Sequence, residues 1–167
     1  MAMASARPLP SSDLESRLHD DHHESLRLWL RLLTCSVLIE RSIRARLRSS
    51  FATTLPRFDL MAQLERHPAG LRMGELSRRL MVTGGNVTGI TDQLVREGLV
   101  ERREIADDRR VYAVRLTGKG KRAFDAMAAA HERWIIEMLG GLESGERKRL
   151  YALLDRLKAT ITARGKE

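Results

Sequence analysis

Thr83, Gly85, Asn86, Thr88, Thr91 and Arg96 gather hydroxyl, amide and guanidinium groups into one short stretch of the chain. Such tips suit hydrogen bonding to base edges and phosphate oxygens better than bond-breaking. Thr83 offers a side-chain oxygen for the free N–H groups of a helix start. Gly84 and Gly85 remove the bulk that would keep backbone away from a phosphate. Further along, Arg109 and Arg110 follow Asp107 and Asp108, a second charged cluster. Serine, histidine and acidic residues elsewhere are scattered without a nucleophile elbow, a metal motif or a phosphate loop, so no catalysis is expected.

Two other reactive sets call for a simpler reading. The single cysteine, Cys35, cannot form an internal disulfide, and it sits among Leu33, Val37 and Leu38, the setting of a buried, inert thiol. His19, His22 and His23 have spacing that could contribute to a zinc site, yet no thiolate or fourth ligand completes it nearby. No metal is expected.

The elements that must carry the polar stretch follow from periodicity across residues 74–116. In G-E-L-S-R-R-L, Leu76 and Leu80 share one face of a short helix that leaves Ser77 and Arg78 outside. After the turn M-V-T-G-G-N, the residues Val87, Ile90, Leu94 and Val95 recur at helical spacing from Thr83 until Gly98. Asn86, Thr88, Thr91, Gln93 and Arg96 remain for the other faces. Leu99 and Val100, then residues 111–116, have the alternation of two strands, with residues 104–110 as a projecting tip. A hairpin this short needs neighbouring helices to cover its apolar face. The order helix, turn, helix, strand, tip, strand describes a winged helix-turn-helix.

Composition is compatible with an anionic partner. The chain of 167 residues carries a net charge of +8 at pH 7, and 25 of its 30 basic residues are arginine. Arginine's planar fork pairs with phosphate in a bidentate way. An arginine-rich coding background would give the same charge, so the turn motif decides. No apolar run approaches the roughly 18 residues of a membrane span. Without a signal-peptide pattern, a cytoplasmic protein is expected.

The flanking segments read as helices. Residues 22–49 place Leu26, Leu30, Leu33, Val37, Ile43 and Leu47 at threes and fours, with Trp29 and Leu38 widening the apolar surface toward a second chain. Thr54 and Pro56 open another helix, with Thr54 as its cap. A long helix starts at Thr117 and stops at Gly140 and Gly141, and a last one spans about residues 144–163. The expected fold is mainly α with a small β-hairpin wing. Its organisation is a disordered leader (1–20), an N-terminal dimerisation helix region (21–53), a winged DNA-binding region (54–117) and C-terminal dimerisation helices (118–167).

The strings L-P-R-F-D-L-M-A-Q-L, G-E-L-S-R-R-L, G-G-N-V-T-G-I-T-D-Q-L, G-L-V-E-R-R and D-D-R-R resemble the MarR family over about residues 24–157. The resemblance implies a homodimeric, ligand-responsive repressor that holds a pseudo-palindromic double-stranded operator. Helix 83–97 would enter the major groove and the wing the adjacent minor groove. Carried over, Asp92 and Arg110 form a pair that fixes the wing's angle, and Arg109 reaches the minor groove. The wing departs from the family in reading E-I-A-D-D, without the proline often found there. T-T-L-P-R-F-D-L-M-A-Q-L with M-V-T-G-G-N-V-T-G-I-T-D-Q-L looks like the branch controlling aromatic-acid catabolism, which includes repressors released by hydroxycinnamoyl-CoA thioesters.

The resemblance places an effector cavity between the first two helices and the winged unit. Trp29, Phe58 and Met61 would then meet an aromatic ring, and Arg44, Arg48 and Arg57 a carboxylate or CoA phosphate. The effector would be a phenolic acid or an aromatic CoA thioester, with no cofactor. Two alternatives are a thiol- or metal-responsive regulator and a non-specific architectural DNA-binding protein.

Overall fold

The computed structural model describes residues 23–80, 87–105 and 108–164, without the side chains of 105, 108–111 and 164. The expected leader, the histidines at 19 and 22, and Thr83, Gly85 and Asn86 lie outside those residues. Six helices and three strands are described: α1 (Glu24–Phe51), α2 (Leu55–Glu65), β1 (Leu71–Arg72), α3 (Met73–Arg79), α4 (Val87–Arg96), β2 (Val100–Ile105), β3 (Asp108–Leu116), α5 (Gly118–Met138) and α6 (Ser144–Arg164). The mainly helical fold with a small sheet agrees with the pattern of the sequence.

The chain divides into two compact units, residues 1–42 and 43–167. In the first, α1 exposes Leu26, Leu28, Trp29, Leu33, Val37 and Leu38. Cys35 is exposed with them, which corrects the expectation of a buried thiol. Its apolar neighbours along the helix are themselves uncovered in the single chain, so they give the thiol no shelter.

In the second unit the last turns of α1 bury Ile43 and Leu47. The helix end is fixed to α5 by a bidentate Arg46–Glu137 pair at 2.6 and 3.0 Å. Phe51 lies 6.2 Å from the Trp134 ring. At the start of α2 the expected Thr54 side-chain cap is absent. The Thr54 carbonyl instead accepts from the N–H groups of Arg57 and Phe58, both at 3.1 Å, and Pro56 fills a first-turn position where no donor is needed. Phe58, Leu60, Met61 and Leu64 then point into the core.

A third strand extends the expected hairpin. Leu71 pairs with Val114 and Arg72 with Ala113, giving an antiparallel sheet of order β1-β3-β2. This third strand ties the start of α3 to the wing. On the other side of β3, Val100 pairs with Leu116 and Arg102 with Val114. The register slips between Glu104 and Ile105, where one step along β2 matches the distance from Tyr112 to Asp108 on β3. Arg109 and Arg110 therefore lie in the irregular part of the β3 backbone. Such a bulge bends and twists a hairpin.

Candidate nucleic-acid interface

The face that α4 buries decides which side chains it can present. Val87, Thr91 and Leu94 are buried, with Thr91 and Leu94 fully so, because one turn of helix returns a side chain to the same side. Thr91 is thus removed from the DNA-facing set. Its hydroxyl donates to the Val87 carbonyl at 2.7 Å, a local bond that lets a threonine enter the core with its polar atom satisfied. Thr88, Gln93 and Arg96 remain exposed. Ser77, Arg78 and Arg79 are exposed on α3, the preceding helix.

The C-terminal end of α4 is held by the polypeptide around the start of α5. Gly98, at φ +70°, adopts the left-handed conformation that ends a helix. The three carbonyls that follow the helix are each taken. Lys119 Nζ donates to the Glu97 oxygen at 2.8 Å, and Thr117 Oγ1 donates to the Gly98 oxygen at 2.7 Å. The Leu99 oxygen accepts the Thr117 N–H at 3.1 Å. Thr117 also caps α5, its hydroxyl accepting from the Gly120 N–H at 2.9 Å, as the sequence suggested. Gly120 faces the Leu99 carbonyl so closely that a Cβ there would stand 1.8 Å from the oxygen.

Two ion pairs extend this support. Arg57 of α2 pairs with Glu97, and that hydrogen bond, with help from Lys119 and Arg96, holds the Glu97 carboxyl below the usual carboxylate range. The Arg57 Nε is buried without a partner among the described residues. Asp92 of α4 pairs with Arg102 of β2, a link between the helix and the base of the wing. The side chain of Arg110, the partner expected for Asp92, lies outside the described residues, as does that of Arg109. Glu101 accepts from Arg115 at 2.6 Å and Arg103 at 3.1 Å, and these bonds lower its carboxyl too.

The candidates for an effector are dispersed differently. Met61 is buried, and Phe58 stacks on Phe124 at 5.5 Å and meets His131 at 5.1 Å, so both serve the core. Burial pushes the His131 imidazole down. Arg57 is engaged with Glu97. Arg44 and Arg48 are exposed on α1, and Trp29 is exposed in the first unit. Among the described residues no group of three or more histidine, cysteine, aspartate and glutamate side chains could hold a metal ion.

Comparisons with known proteins agree with this architecture. The MarR family model matches residues 53–112. A MarR family transcriptional regulator from Silicibacter pomeroyi has a crystal structure that superposes with a TM-score of 0.71 at 31% identity, over 86% of this chain and 99% of that one. The chain belongs to the MarR family. The HTH-type transcriptional regulator YdgJ of Bacillus subtilis, itself uncharacterised, is 30% identical over 57% of this chain and 58% of its own. For the HTH-type transcriptional regulator BilQ of Clostridium symbiosum the identity is 29%, over 56% and 65%. The chain thus spans less than two thirds of the length of these two relatives.

Proposed function

We propose that the chain is a dimeric, cytoplasmic transcriptional repressor that binds a pseudo-palindromic operator and releases it when an aromatic effector binds. The observation that carries the reading is α4: one face is buried in the core, while Thr88, Gln93 and Arg96 stand exposed on a helix tied to the wing through Asp92 and Arg102. Polar tips on a rigid helix suit a major groove. Thr83, Gly85 and Asn86 would add contacts at its start, and Arg109 and Arg110 would follow the minor groove. The names of the relatives support a regulator, and the exposed apolar residues of α6 support a second copy.

The effector assignment rests on the resemblance to the aromatic-acid branch. A phenolic acid or hydroxycinnamoyl-CoA thioester would place its anionic part near Arg44 or Arg48, both on the exposed side of α1. A coupling of about 1 to 3 kcal/mol would weaken operator binding about 5- to 150-fold, enough to clear a site. Exposure of Cys35 favours a second reading, a thiol-responsive regulator.

The test is fluorescence anisotropy with DNA from upstream of the gene and with random duplex at one salt concentration. The upstream DNA should bind at least about 1,000-fold more tightly, and phenolic acids or their CoA thioesters should release it. Equal binding to random DNA would leave only the architectural role. Release by peroxide that Cys35→Ser abolishes would replace the aromatic effector with the thiol.

A further inference from the structure

We propose that Gln93 is the residue through which α4 reads an adenine, an inference that rests on the operator-binding reading. At about 100° per residue, Gly89, Gln93 and Arg96 fall on the side of the helix away from Val87, Thr91 and Leu94. The other polar groups of α4 are less suited to specify a base. Thr91 is buried and bonded to Val87, and Asp92 is acidic and paired with Arg102. Thr88 is exposed but has a short side chain that reaches only a nearby edge. Arg96 lies in the last turn, farthest from the N-terminal part through which a recognition helix reaches base edges, and a guanidinium there suits the phosphate backbone, which positions the protein without specifying sequence.

Gln93 is exposed, and its side-chain amide makes no hydrogen bond among the described residues. It therefore reaches the groove without first breaking an internal bond. An amide offers one donor and one acceptor in a plane, the complement of adenine N7 and N6 in the major groove. One turn earlier Gly89 has no side chain, so the helix can approach the groove floor closely enough for a glutamine to touch base edges. A bulkier residue there would hold Gln93 at the height of the phosphates.

Selection from a random duplex library, followed by binding to each single-base variant of the selected site, tests this. Gln93→Ala should flatten the preference for one A·T pair in each half-site by about tenfold or more, leaving preferences elsewhere intact. Gln93→Arg should move that preference toward guanine, whose O6 and N7 both accept from a guanidinium. Both variants should keep the wild-type melting temperature, since the side chain is exposed. Wild-type preferences at every position in both variants would overturn the role of Gln93 while leaving operator reading in place. A wild-type protein that selects no sequence at all would overturn both.

Discussion

The end of α4 and the long face of α6 treat their exposed groups in opposite ways. At the end of α4 the carbonyls of Glu97, Gly98 and Leu99, which the helix cannot satisfy itself, are taken by Lys119 and Thr117 of the same chain. Along α6, Leu150, Tyr151, Leu153, Leu154, Leu157 and Ile161 remain in water. The first region is complete within one chain. A contiguous apolar face of the second kind marks an interaction site in a folded protein. α4 is thus positioned by its own polypeptide, whereas the apolar surface of α6 finds no cover among the described residues of the chain.

The contrast can be broken most severely at Gly120. Gly120→Ala puts a Cβ where the Leu99 oxygen stands and should cost about 3 kcal/mol of stability. A shifted urea midpoint checks this, and an unchanged one would mean that the joint yields easily. On the other side of the comparison, Leu154→Glu with Leu157→Glu should weaken self-association about 100-fold while leaving the monomer folded. Sedimentation velocity reads the change, and a monomeric wild type would show that α6 serves something other than a second copy.

A smaller effect concerns pH. The Glu97 carboxyl is held low in the folded chain by Arg57, so its contribution to stability is present above the usual carboxylate range and is lost as acid protonates it. Glu97→Gln should flatten the acid limb of stability against pH. Because the pair is partly exposed, the change in slope should be modest and diminish in high salt. An unaltered slope would remove Arg57 from the support of α4.

Periodicity made most of the helices legible. The expectation of a helix over residues 22–49 meets α1 at Glu24–Phe51, and that over 144–163 meets α6 at Ser144–Arg164. β1 was not legible, because two residues are too few to show an alternation. Thr91 was misplaced because its polarity argues for the surface, while its position four residues after Val87 lets the hydroxyl bond inward. Arg102 escaped notice for a different reason. Its meeting with Asp92 depends on how β2 lies against α4, which no local pattern encodes. Cys35 shows the limit of an apolar stripe, since hydrophobic neighbours along one helix do not say whether anything covers them.

The joint at Leu99 also bears on how such a protein can change over generations. Its grip on the α4 side falls largely on backbone oxygens of Glu97, Gly98 and Leu99, groups that every amino acid possesses. Substitutions at the outward positions of α4 can therefore accumulate without loosening the bracket that holds the helix. New surface chemistry on α4 becomes accessible by single steps, and the scaffold inherited with it need not be rebuilt.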